Sequence, residues 1–274
     1  MTSRIAARFA ELKKQNRAGL VAYVMAGDPD LEIGFEILRG LPAAGADVIE
    51  LGFPFSDPMA DGVSIQRAAE RSLNAKTTLR KTLELAARFR KEDEATPLIL
   101  MGYANPVEQF GYAAFASAAE KAGVDGVIIV DLPPEEDKDA RAAFAPHNLS
   151  LIRLATPTTD DKRLPKVLDG VSGFLYYVSV AGVTGANSAT SDAVKEAVSR
   201  LKRATDLPVA VGFGVRTPEA AAAIAKDADA VVVGSAFVDE VSAAIADGKP
   251  HDAIKRVHAK VQTLSEAVRA ARKS

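Results

Sequence analysis

The chain has 274 residues, 48% of them hydrophobic and 26% charged, and its 34 basic and 36 acidic side chains leave a formal net charge of -2. A folded core is expected, and the charge balance excludes the strongly basic footprint of a nucleic-acid binder. With no cysteine, disulfides, thiolate nucleophiles and cysteine metal sites are excluded, and a reducing, cytoplasmic setting is expected.

Ile5, Phe9 and Leu12 recur at helical spacing behind Thr2 and Ser3 as caps, which predicts a first helix in preference to a basic targeting peptide. Short β-branched apolar runs follow at 20–25, 47–51, 98–103, 126–131, 151–155, 174–180, 209–213 and 230–234, giving eight strand candidates. None approaches the roughly 18 apolar residues of a membrane span. Helical, charge-bearing segments lie between them, among them 31–41, 78–90, 111–122, 191–203 and 218–226, and a last helix carries Ile254, Val257, Val261 and Leu264.

Three strands are entered through related phrases: Ala44-Gly45-Ala46-Asp47, Ala122-Gly123-Val124-Asp125 and Lys226-Asp227-Ala228-Asp229. In the first two, a glycine stands where a helix closes and an aspartate leads into the strand. Alternation of eight such units without a linker predicts an α/β fold, a single (β/α)8 TIM-barrel domain over residues 1–274. It carries an extra N-terminal helix and is preferred to a doubly wound sheet.

Barrels place their chemistry at the C-terminal ends of the strands, which directs attention to the long βα loops after strands 2 and 6. The first opens as Gly52-Phe53-Pro54-Phe55-Ser56-Asp57-Pro58-Met59-Ala60-Asp61-Gly62 and the second as Ala181-Gly182-Val183-Thr184-Gly185-Ala186-Asn187-Ser188, a pair that reads as a lid. Glu50, near the end of strand 2, is a candidate proton donor and acceptor because burial favours its neutral form; a paired structural carboxylate is the alternative. Asp61 either reaches into the pocket or caps a helix starting at Val63, and Asp57 beside Pro58 is equally a turn former. Gly212-Phe213-Gly214, Gly234-Ser235 and Thr184-Gly185 point to a phosphate site built from loop amides. His147, His251 and His258 form no metal constellation, so no metal site is expected.

Glu50-Leu51-Gly52 with the following segment to Gly62, then Ala181-Gly182-Val183-Thr184-Gly185 and Gly212-Phe213-Gly214, resemble the signature of the tryptophan synthase alpha subunit family, in the same order along essentially the whole chain. The resemblance implies a (β/α)8 lyase that cleaves indole-3-glycerol phosphate to indole and glyceraldehyde 3-phosphate. Glu50 and Asp61 match the family's catalytic pair, which implies proton transfers by Glu50 and a hydrogen bond from the indole N–H to Asp61. Phosphate would lie at Gly185, Phe213, Gly214, Gly234 and Ser235. Tyr176 would lie near the glycerol, Tyr23, Met101 and Tyr103 around the indole, and Thr184 would organise Asp61.

The resemblance further implies no cofactor in this chain and an α2β2 complex, in which a beta subunit uses pyridoxal phosphate to consume the indole. Pro54, Asp57, Asn105 and Pro106 would meet that partner. Val180, Val63 and Tyr23 depart from the residues (arginine, proline and phenylalanine) that relatives carry there. Three other readings stand beside it: a standalone lyase, a non-catalytic regulatory partner of the beta subunit, and another barrel enzyme acting on a phosphorylated sugar.

Overall fold

The computed structural model describes residues 3–179, 187–212 and 214–272, with backbone alone for 187–191. Nine strands, β1 (Gly19–Met25), β2 (Val48–Gly52), β3 (Leu98–Gly102), β4 (Gly126–Ile129), β5 (Ser150–Leu151), β6 (Arg153–Ala155), β7 (Leu175–Val178), β8 (Val209–Gly212) and β9 (Ala230–Val233), pair in parallel in the order β5-β4-β3-β2-β1-β9-β8-β7-β6. The two ends of that order are one run of chain divided only at Ile152, so the sheet curls into a nearly closed barrel. The expected fifth strand is thus present in two pieces, because its first half pairs with β4 and its second with β7. The helices are α1 (Arg4–Lys14), α2 (Leu31–Ala44), α3 (Val63–Asn74), α4 (Leu79–Arg90), α5 (Ala104–Phe110), α6 (Tyr112–Lys121), α7 (Lys138–Phe144), α8 (Leu164–Leu168), α9 (Asn187–Ala204), α10 (Pro218–Ala225), α11 (Ser235–Ala246) and α12 (Asp252–Ala270). Among the described residues no helix is long and apolar enough to cross a membrane.

Side chains alternate across each strand, and the barrel uses both faces. Leu20, Ala22 and Val24 of β1, Ile49 and Leu51 of β2, and Leu98 and Leu100 of β3 pack under the helices. Val21, Val48, Ile99, Ile128, Ile152, Phe174 and Ala210 form the interior, where Ile5, Phe9 and Leu12 of α1 join them. The predicted first helix therefore stoppers the bottom of the barrel, with Phe9 5.7 Å from Phe174, and Ser3 caps it by accepting from the Ala6 N–H at 3.2 Å. One step further up, the inward positions carry Tyr23, Glu50, Met101, Leu154 and Tyr176, and there the packed interior gives way to a cavity.

The repeated aspartates perform one physical task. Asp47 accepts the Leu20 N–H at 3.0 Å, Asp125 the Leu98 N–H at 2.9 Å and Asp229 the Val209 N–H at 2.8 Å, so each satisfies an amide at the start of the neighbouring strand. Cations offset the charges: Arg17 on Asp47, Arg4 and Arg90 on Asp125, and Lys202 on Asp229. Gly45 ends α2 at φ 111°, a left-handed position that glycine adopts without strain, and a Cβ there would lie 2.4 Å from Ser265 Oγ.

Candidate active site

The cavity at the C-terminal ends of the strands measures about 560 Å³. Tyr23, Glu50, Met101, Val130, Leu154, Tyr176, Val178 and Val232 make its walls and floor, and residues 60–65, Thr156, Gly214, Arg216, Gly234 and Ser235 make its rim. The strand ends therefore bring together the predicted Tyr23, Glu50, Met101 and Tyr176, the long loop adds Asp61, and the last two βα turns add Gly214, Gly234 and Ser235.

Glu50 lies in register between Tyr23 of β1 and Ile99 of β3. It is 1% exposed, and its Oε1 is buried without a hydrogen-bond partner. A structural carboxylate in this barrel looks different: Asp47 and Asp125 each hold an arginine and a backbone N–H. With nothing to replace lost hydration, the Glu50 carboxyl is pushed up to about 8 and carries its proton at neutral pH. Burial also raises the Tyr23 and Tyr176 hydroxyls, with the Asp61 charge adding at Tyr23 and Glu50, once ionised, adding at both, so they remain neutral donors at neutral pH. Gly52 makes room for Tyr23, since a Cβ there would stand 2.3 Å from its hydroxyl oxygen.

Asp61 belongs to a loop folded on itself, its N–H donating to Pro58 O at 3.1 Å and its carbonyl accepting from Gln66 Nε2 at 2.7 Å. Its carboxyl does not cap α3. The cap is Gly62, with no side-chain bond, so the helix-capping alternative is set aside. Burial lifts the carboxyl to about 6 and the Tyr103 hydroxyl opposes the rise, leaving Asp61 ionised at neutral pH while Glu50 is not. Tyr103 does not wall the main cavity. It lies behind the loop in a small adjoining cleft, accepts the Ala60 N–H at 3.0 Å and packs 5.3 Å from the Phe55 ring. Farther along α3, Arg71 donates to both oxygens of buried Asp28 (2.6 and 2.8 Å) and to Ser242 Oγ of α11 (2.9 Å), fixing the helix that follows the loop.

On the opposite rim, α11 begins at Ser235 after Gly234 without a side-chain cap, so its first amides are open to an anion, and Gly214 adopts φ 70° beside it. Val180, Thr184, Gly185 and Phe213 lie outside the described residues. Val63, the first residue of α3, is 63% exposed. Asp57 and Asn105 are exposed and Pro106 is half-buried, whereas Pro54 is buried.

Sequence reasoning missed Val130, Leu154, Val178 and Val232, although each stands two residues after a residue of the barrel interior and strand alternation could have found it. It also missed Ser64, Thr156 and Arg216, for which no motif or periodicity gives a signal. Among the described residues no three His, Asp or Glu side chains are grouped to hold a metal ion. His147 pairs with Glu120 at 2.7 Å and His258 with the Ile37 carbonyl at 2.9 Å, away from the cavity.

The family model described as tryptophan synthase alpha chain matches residues 9–269. Tryptophan synthase alpha chains of Caulobacter sp. strain K31 and Caulobacter vibrioides strain NA1000 are each 59% identical over 269 residues, covering 98% of this chain and 97% of theirs. The crystal structure of tryptophan synthase subunit alpha from Legionella pneumophila strain Paris superposes with a TM-score of 0.91 at 40% identity, covering 98% of this chain and 99% of that one. A chain of Mycobacterium tuberculosis tryptophan synthase does so with a TM-score of 0.87 at 36% identity, with 98% and 99% covered. Fold and relatives agree along nearly the whole sequence, and the chain belongs to the tryptophan synthase alpha chain family.

Proposed function

We propose that this chain cleaves indole-3-glycerol phosphate with Glu50 moving the protons and Asp61 holding the indole N–H. The family's reaction is a carbon–carbon lyase step that yields indole and glyceraldehyde 3-phosphate. One observation carries the residue assignment: a buried, unpartnered, protonated carboxyl and an ionised one share a single cavity.

The chemistry balances on those two groups. Glu50 gives its proton to indole C3, forming a C–H bond and leaving the ring nitrogen electron-poor. Asp61, as the anion accepting the ring N–H, stabilises that positive charge. The C3–glycerol bond then breaks, its electron pair restoring the indole, while the adjacent glycerol hydroxyl becomes the aldehyde and returns its proton to Glu50. Tyr176 and Tyr23 flank Glu50 as neutral hydroxyls, Met101 offers apolar surface to the indole, and Tyr103 steadies the Asp61 loop from behind. The amides at Gly214, Gly234 and Ser235, with Gly185 and Phe213, would take the phosphate, and Thr184 would help order Asp61.

Membership of the family implies a beta subunit as partner. We place the contact on Asp57, Asn105 and Pro106, with buried Pro54 shaping the loop from beneath, in an α2β2 complex of the cytoplasm. On this reading residues 1–274 act as one barrel domain and need no cofactor, pyridoxal phosphate belonging to the beta subunit.

The test is indole release from indole-3-glycerol phosphate by the full chain, alone and with its beta subunit. Glu50→Gln is expected to lower kcat by about 100-fold or more, and Asp61→Asn to lower kcat more than it raises KM. Near-normal turnover by Glu50→Gln would overturn the proton assignment. Fast release without the partner would point to a standalone lyase, and none with or without it to a regulatory subunit.

A further inference from the structure

We propose that Arg216 is the cation that binds the substrate phosphate, a side-chain ligand added to the backbone amides; this rests on the reading that the Gly214, Gly234 and Ser235 end of the cavity takes phosphate. Arg216 is the single cationic side chain among the described residues that line the cavity, and it shares the rim with those three residues. Among the described residues the cavity's carboxyls are Glu50 and Asp61, with Asp61 ionised at neutral pH. A phosphate ester arriving as a dianion would meet a site of net negative charge without Arg216. Amides at a helix start donate hydrogen bonds but carry only about half a charge between them.

The side chain is held where such a group should stand. Its Nη1 pairs with Asp239, four residues into α11 from Ser235 and hence on the same helical face, while Nη2 lies 3.5 Å from Ser64 Oγ at the start of α3. The guanidinium thus spans two helix starts that lack side-chain caps, α3 and α11. At 52% and 38% exposed, the Arg216–Asp239 pair is a surface ion pair, worth little in water. A dianionic phosphate offering paired oxygens to the planar guanidinium competes with one carboxylate on favourable terms. The Arg216–Asp239 pairing is the contact that the phosphate would displace.

The alternative is a strut that ties α3 to α11, and two opposed variants separate the roles. Kinetics with indole-3-glycerol phosphate and inhibition by inorganic phosphate are measured on the full chain and its Arg216→Ala, Arg216→Lys and Asp239→Asn variants. For a phosphate ligand, Arg216→Ala raises both KM and the phosphate inhibition constant by about 10- to 100-fold, with the loss falling on KM rather than kcat, and Arg216→Lys recovers part of it. Asp239→Asn, which releases the guanidinium, lowers both constants by about two- to fivefold. If Arg216→Ala and Asp239→Asn shift kcat together and leave phosphate inhibition unmoved, the residue is a strut and the proposal is overturned. The lyase reading fails separately, through absence of indole release by the unsubstituted chain. Direct titration with inorganic phosphate, followed by phosphorus NMR, still reads the Arg216 contribution in that event.

Discussion

Glu50 and Asp61 are both carboxyls raised by burial, yet they end on opposite sides of neutrality because their neighbours differ. Glu50 has an unpartnered oxygen in an apolar floor and is pushed up to about 8, while the Tyr103 hydroxyl restrains Asp61 at about 6. If turnover needs Asp61 ionised and Glu50 protonated, kcat/KM should rise with pH through about 6 and fall through about 8. Tyr103→Phe removes the group that lowers the Asp61 value, so less Asp61 is ionised at a given pH and the rising limb moves to higher pH. A pH–rate profile of both proteins checks this, and an unmoved limb would separate Tyr103 from Asp61. Asp61 was legible as a candidate from its loop, whereas its rank over a helix cap was not, since that depends on Gly62 occupying the cap position.

Among the elements, the helix-turn-strand phrase was readable as a repeat, but its purpose emerged only when neighbouring strands were side by side. Asp125 is the fullest case: it accepts the Leu98 N–H at the start of β3 and pairs with Arg90 at 3.0 Å and Arg4 at 2.9 Å. Asp125→Ala leaves a buried amide and a largely buried Arg90 without their partner, and the expected loss is about 3 kcal/mol of unfolding free energy. Urea denaturation measures it. Indole release per folded molecule should persist, because Asp125 lies at the opposite end of the strands from the cavity.

For the whole molecule, the barrel divides into a packed lower half and a hollow upper half, and α1 belongs to the former. Phe9 is 7% exposed against the interior cluster, so Phe9→Ala opens a void at the barrel's base and should cost about 3 kcal/mol, read as a lower urea midpoint with an unchanged slope. A shift of less than about 0.5 kcal/mol, the usual surface effect, would show that α1 is dispensable to the core.

What the sequence alone determined is whatever recurs locally: the alternation of strand and helix, the glycines closing helices, the apolar stripe of α1, and the segments around Glu50, Asp61, Gly214 and Gly234. These follow from periodicity and backbone preference, which act over a few residues. Tertiary structure decided the rest. It left Glu50 Oε1 without a partner, put Tyr103 behind the Asp61 loop instead of in the main cavity, split the fifth strand between two neighbours, and brought Arg216 to the rim between α3 and α11. Each of those depends on which distant groups burial brings together, and pairing, desolvation and charge are properties of that assembled environment, not of any one segment.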